Sequence, residues 1–199
     1  MDKETGARIA DLFFELGMLK KTPRTGFRFL GTGGESVAEH SFRATAIGYV
    51  LARMHRDVDH GKVCLLCLFH DTPEARTGDL NYVYKKYCRS DEESAVRDMT
   101  RGLPFGDDIR SIFHEFNEAL TMEAKLARDA DQLDLLCNLV EERDLGNDQA
   151  LDWIPFLLER LYTEEARELA QAVIASKREQ WWFKRKGEYW VNAKGPGGP

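Results

Sequence analysis

His40, His70 and Asp71 are the residues of this chain whose types and spacing could hold a metal ion. Imidazole nitrogen and carboxylate oxygen are ligands for borderline-hard divalent cations. The two histidines are 30 residues apart, in segments that both read as apolar helices. On a regular helix His70 and Asp71 project about 100° apart, so they can share an ion only near a helix end. A further carboxylate is needed to finish the set. Asp131 is suited to it, with Asp129 and Asp134 as rivals that spacing alone does not exclude. A carboxylate on the inner side of a helix is costly unless paired or metal-bound. Two histidines and two carboxylates leave room for water, which makes the site catalytic in type. His55, His60 and His114 have no carboxylate context that favours binding. Cys64 and Cys67 form a CxxC, but it lies mid-helix in an apolar run with no second CxxC, and reads as two small buried hydrophobes.

The elements that must position these residues read as helices. Residues 4–20 carry Ile9, Leu12, Phe13, Leu16 and Leu19 at helical spacing, and residues 21–35 read as an irregular loop. Ser36 and Glu39 predict a capping box for a helix to about Arg56. Further helices are expected at 62–71, 79–88, 91–101, 106–119, 121–145, 149–161 and 163–183. Glu188–Val191 could form a short hairpin arm, and residues 194–199 read as disordered. The expected fold is an all-α globule rather than a simple four-helix bundle, with one domain over 1–185 and a C-terminal extension over 186–199.

With 199 residues, 43% hydrophobic and 31% charged, the composition is that of a soluble globular domain. A net charge of −6 argues against a general nucleic-acid binder. A small anionic substrate needs only a local cationic pocket, which Lys20, Lys21, Arg24 and Arg28 could supply. No apolar run approaches the roughly 20 residues that span a bilayer. The first residues lack the apolar stretch of a signal peptide, so no membrane association and a cytoplasmic location are expected.

His40, His70-Asp71 and Asp131 resemble the H…HD…D signature of the HD-domain metal-dependent phosphohydrolases. The stretches Glu35–Ser41, His70–Glu74, Thr77–Leu80, Leu19–Phe27 and Lys125–Gln132 resemble the branch that contains the 5′-deoxynucleotidases. The resemblance covers roughly residues 5–180. It implies that Asp131 is the closing ligand, in an Ala-Asp-Gln context, and that the site holds one divalent cation (Mn, Co, Mg, Zn, Ni or Fe). Glu74 would position or deprotonate the attacking water. Its spacing agrees, being four residues after His70 and three after Asp71, on one face of a continued turn. Otherwise it is a solvated helix-end carboxylate. Asp79 would assist the leaving oxygen, or cap a helix after Gly78, or both. Arg24 would bind phosphate, and Phe27 stands in the same loop as an aromatic that would meet the substrate. The implied reaction is hydrolysis of a (deoxy)nucleoside 5′-monophosphate. The alternatives are another phosphate ester, such as a cyclic nucleotide or nucleotide polyphosphate, and a non-catalytic nucleotide-binding module. The resemblance also implies a homodimer, with the aromatic segment Gln180–Phe183 and Trp190 either packed on the core or covering a partner.

Overall fold

Capping residues start most of the helices. In the computed structural model, which describes residues 1–183, Asp2 begins α1 (Lys3–Leu16), accepting from Thr5 N–H. A 3-10 turn, Gly17–Lys20, follows it. The short α2 (Phe27–Leu30) interrupts the expected loop. Ser36 and Glu39 form the anticipated reciprocal capping box on α3 (Val37–Met54). Asp59 caps α4 (His60–Phe69). His70–Pro73 then pass through turns into α5 (Glu74–Thr77). Asp91 caps α6 (Glu92–Thr100), and α7 (Gly106–Glu118) follows. Thr121 caps the long α8 (Met122–Asp144). The last two helices are α9 (Gln149–Leu158) and α10 (Glu164–Ala175), the latter capped by Thr163. Among the described residues the one β pairing is an isolated bridge between Pro23 and Ser36.

The all-α expectation therefore holds, with local differences. No helix forms over 79–88. That stretch is irregular, with a 3-10 turn at Tyr84–Lys86. Its polar side chains bond elsewhere instead: Asn81 Nδ2 donates to Thr25, while Asn81 Oδ1 accepts from the backbone N–H groups of Val83 and Tyr84. Such side-chain competition for backbone partners is what keeps Asn out of helix interiors. The helix expected over 163–183 stops at Ala175, where Arg143 donates to the carbonyls of Ile174 and Ser176. Trp181, Trp182 and Phe183 are exposed. The expectations for Glu188–Val191, Trp190 and residues 186–199 lie outside the described residues.

The main core is built around α8. Leu126, Ala130, Leu133, Leu136 and Leu139 are buried there against α3, α4, α9 and α10. A smaller cluster joins α1, α6 and α7 through Leu12, Val96, Met99 and Phe113. Cys67 is part of the main core and Cys64 is half-buried, both as free thiols. The contact of α3 with α4 is tight at Gly48, where an added Cβ would stand 2.5 Å from Cys67 Sγ. His40 lies two turns earlier on the same face of α3, so this approach also brings α3 close to His70 at the end of α4. Among the described residues, no helix is long and apolar enough to cross a membrane.

Candidate metal centre

His40 is fully buried on α3, His70 stands where α4 ends, Asp71 follows in the turn, and Asp131 comes from α8. The turn after Phe69 allows His70 and Asp71 to converge despite being adjacent. Their contacting atoms are 3.2 Å apart. His40 Nε2 is 3.4 Å from His70 Nε2, 3.5 Å from Asp71 Oδ2 and 3.3 Å from Asp131 Oδ1.

The other ring nitrogens are already engaged. His40 Nδ1 is 2.6 Å from Asp134 Oδ2, and His70 Nδ1 is 2.8 Å from the carbonyl oxygen of Cys67. An N–H at each Nδ1 leaves each Nε2 lone pair directed into the cluster, the usual arrangement of metal-binding histidines. The donor atoms of His40, His70 and Asp131 lie within 4.8 Å of one another and could hold a divalent cation, and Asp71 Oδ2 stands beside them, 3.5 Å from His40 Nε2 and 3.2 Å from His70 Nε2.

The remaining aspartates take different tasks. Asp134 is fully buried and also accepts from Arg43 Nε. Asp129 accepts from the N–H groups of Tyr162 and Thr163 and from the Thr163 hydroxyl, which fixes the start of α10. Asp131 is thus the aspartate of the three that faces His70 and Asp71. Spacing could not show this, nor that Asp134 orients His40. Glu35, which accepts from Asn138 Nδ2, stands beside this network.

Arg24 Nη1 is 3.0 Å from Asp71 Oδ2 and 3.8 Å from Asp79 Oδ1, and Arg24 Nη2 is 3.8 Å from Asp131 Oδ1. Asp79 holds the neighbouring loop: Thr25 N–H donates to Asp79 Oδ2, and the Thr25 hydroxyl lies 2.8 Å from the same oxygen. With no helix after it, Asp79 is not an N-cap. Glu74 is nearly buried, and its Oε2 has no hydrogen-bond partner. These residues and Phe27 line a cavity of about 650 Å3. Of the four basic residues expected to make it cationic, only Arg24 reaches it. Lys20, Lys21 and Arg28 are exposed, because they fall on the outer sides of the 3-10 turn and of α2. The other cations of the cavity are Lys85, Arg128 and Arg160.

The electrostatics follow from crowding. Burial and Arg24 oppose charge on His40, but its hydrogen bonds to the Asp131 and Asp134 carboxylates outweigh them and raise its pKa to about 10. Burial raises Asp71 and Asp131, yet the histidines and Arg24 hold both well below the ordinary carboxylate range. Burial together with Asp71 and Asp79 pushes Glu74 up to about 9, against Arg24. Burial and Asp134 likewise push Glu35 up to about 7. Such displaced acids in one cavity are characteristic of reaction sites.

The HD domain family profile matches residues 16–173. The chain belongs to the HD domain family. The HD-domain chain is 30% identical to a 5′-deoxynucleotidase of Bos taurus over 149 residues, covering 71% of this chain and 72% of that one. It is 30% identical to the 5′-deoxynucleotidase of Homo sapiens over 151 residues, covering 70% and 71%. Among solved structures, a conserved hypothetical protein from Pyrococcus furiosus superposes with a TM-score of 0.69 at 29% identity, over 82% of this chain and 98% of that one. An HD-domain phosphohydrolase from Listeria innocua shares the fold, with a TM-score of 0.62 at 23% identity over 85% and 90%. This HD-domain chain is a phosphohydrolase whose His and Asp side chains can bind a metal.

Proposed function

We propose that the chain is a metal-dependent phosphomonoesterase that hydrolyses (deoxy)nucleoside 5′-monophosphates to nucleoside and phosphate. The observation that carries this reading is Glu74, a nearly buried carboxyl with an unpartnered oxygen, in the cavity that Asp71, Asp131 and Arg24 also line. A module that only bound nucleotide would have no use for it. The names of the relatives, 5′-deoxynucleotidases at 30% identity, support the substrate class.

His40, His70, Asp71 and Asp131 would hold one divalent cation, from the set Mn, Co, Mg, Zn, Ni and Fe. When bound, it supplies Lewis acidity toward a phosphate oxygen and acidifies water. Glu74 accepts the proton of the attacking water, which approaches phosphorus opposite the 5′-oxygen. Burial beside Asp71 and Asp79 makes the Glu74 carboxylate a stronger base but favours its protonated form at neutral pH, so the role requires a cation on the neighbouring ligands to offset those acids. Arg24 presents a planar fork to the phosphoryl oxygens as charge spreads over them. Asp79 orients Arg24 through Oδ1 and serves the departing 5′-oxygen, while its Oδ2 keeps the Thr25 loop in place. Phe27 and Trp153 supply aromatic wall for the nucleoside.

The test is phosphate release from a panel of nucleoside monophosphates with Mn2+, Co2+, Mg2+ or Zn2+. Glu74→Ala is expected to lose about 10²-fold or more in kcat while still binding metal. Equal release by the variant, or none from any monophosphate in the wild type, would sink the reading. A cytoplasmic homodimer is part of the same proposal. In support of the dimer, Phe42, Tyr49 and Val50 on α3 and Leu65 and Leu68 on α4 are exposed apolar side chains on two packed helices.

A further inference from the structure

The cavity carries a second group of cations that the hydrolysis described above does not use. Arg128, Asp131 and Gln132 share one face of α8, with Arg128 one turn before the ligand. Arg160 follows the end of α9. A smaller cavity of about 390 Å3 shares Arg128, Gln132 and Arg160 with the larger one.

Among the described residues, neither arginine is engaged by a carboxylate. Arg128 donates from Nε and Nη2 to the carbonyls of Phe116 and Asn117, and its guanidinium lies 4.9 Å over the Phe116 ring. Among the described residues, Arg160 donates to Gln132 Oε1, at 3.4 Å, and lies 5.2 Å over the ring of Tyr82. By contrast, Arg43, Arg76, Arg143 and Arg167 each pair with an acid. Nη1 of Arg128 and Nη2 of Arg160 donate to nothing among the described residues. Glu159 is the one carboxylate lining the smaller cavity, against two guanidiniums. Two planar cations with open donors at the edge of the proposed nucleotide cavity suit a further phosphate.

Both arginines also connect to the metal ligands. Gln132 Nε2 donates to Asp131 Oδ2 at 2.9 Å while its Oε1 accepts from Arg160. The Phe116 ring beneath Arg128 stacks on His70 with centroids 4.4 Å apart. The Cβ atoms of residues three apart on a helix, such as Arg128 and Asp131, are about 5–6 Å from one another. Arg128 thus stands one turn of α8 from Asp131, and both line the same cavity, so one ligand could meet both.

We propose that Arg128 and Arg160 form a subsite for a second phosphate group, on the nucleotide whose 5′-phosphate faces the metal centre. A nucleotide with a second phosphate would then bind more tightly than the monophosphate. The proposal rests on the reading of the cavity as a nucleotide site. The second phosphate could stand on the 3′-oxygen or in a 5′-diphosphate, and the two can be told apart.

The experiment is calorimetry on the full chain loaded with Co2+ and carrying Glu74→Gln to prevent turnover. It is titrated with deoxyadenosine 5′-monophosphate, 3′,5′-bisphosphate and 5′-diphosphate. One doubly phosphorylated ligand should bind about ten-fold or more tightly than the monophosphate. Adding Arg160→Met should shrink that gain to less than about three-fold, and Arg160→Lys should restore much of it. Arg160 is exposed and caps no helix, so its loss leaves the fold intact, whereas Arg128 also holds the end of α7. The ligand that shows the gain identifies where the second phosphate sits. Equal affinities, no binding, or a gain untouched by Arg160→Met overturns the subsite. Wild-type phosphate release from the monophosphate is measured in parallel. Its absence beside an intact gain would count against the monoesterase and not against the subsite.

Discussion

At the scale of single residues, the metal site depends on what stands behind the ligands. His40 points Nε2 into the cluster because Asp134 takes its Nδ1 proton, and Asp134 is fixed in turn by Arg43. Asp134→Asn would remove the charge and disturb the tautomer. We expect metal affinity to fall about 10- to 100-fold, read by competition with a chromophoric chelator. An affinity within two-fold of wild type would show that Asp134 has no orienting role. The sequence showed residue types better than partners. His70-Asp71 is legible because a doublet of that kind is hard to bury otherwise. Choosing among Asp129, Asp131 and Asp134 requires knowing which side of α8 meets α3 and α4, and which meets the start of α10. Periodicity alone does not fix that rotation to the needed accuracy when both sides of the helix are buried.

At the scale of elements, helices with strong caps and apolar stripes were readable, and the capping box that starts α3 was foreseen to the residue, though the helix ends at Met54 and not near Arg56. The stretch 79–88 was not, since its conformation is set by Thr25, more than 50 positions earlier. Helix proximity at the site depends on Gly48. Gly48→Ala would drive a methyl group into Cys67 Sγ, costing ~1–3 kcal/mol and separating α3 from α4. Chemical denaturation measures the loss, and weaker metal binding should accompany it. A second element-scale expectation concerns the segment after α10. Asp144 accepts from Arg178 N–H and pairs with Arg143 and Lys177. Burial raises its pKa, but these partners outweigh burial and hold it below the ordinary value. Its contribution is therefore complete above the unfolded carboxylate value and fades as pH falls through the lowered folded one. Tryptophan fluorescence from Trp181 and Trp182 should report release of the segment on acidification. At neutral pH, Asp144→Asn should speed tryptic cleavage after Lys177 and Arg178. Unchanged cleavage would mean the segment is held by other contacts.

At the scale of the whole molecule, the outer surface of α3 and α4 presents exposed apolar side chains that the proposed dimer would cover. Phe42 is 78% exposed, and Tyr49 lies two turns further along the same side. Burying such side chains against a second copy is worth ~1.5–3 kcal/mol each. Sedimentation should show a species of twice 22.8 kDa, and Phe42→Glu should convert it to a monomer. A wild-type monomer at all concentrations would refute the dimer. α3 also supplies His40, so such an interface would lie on the reverse of the helix that carries a ligand.

The pairing at Pro23 and Ser36 has a consequence for how this protein can vary. Arg24 N–H donates to Glu35 O, and Val37 N–H donates to Thr22 O, so the two ends of residues 25–34 are joined at a clasp, while Thr25 and Leu30 anchor the segment between them. A chain fastened at its neck can change its circumference without moving the neck. An insertion beside Gly34, which is exposed with open space around it, should leave Arg24 in register with the ligands. The loop is where substrate preference can drift while the hydrolytic centre stays constant.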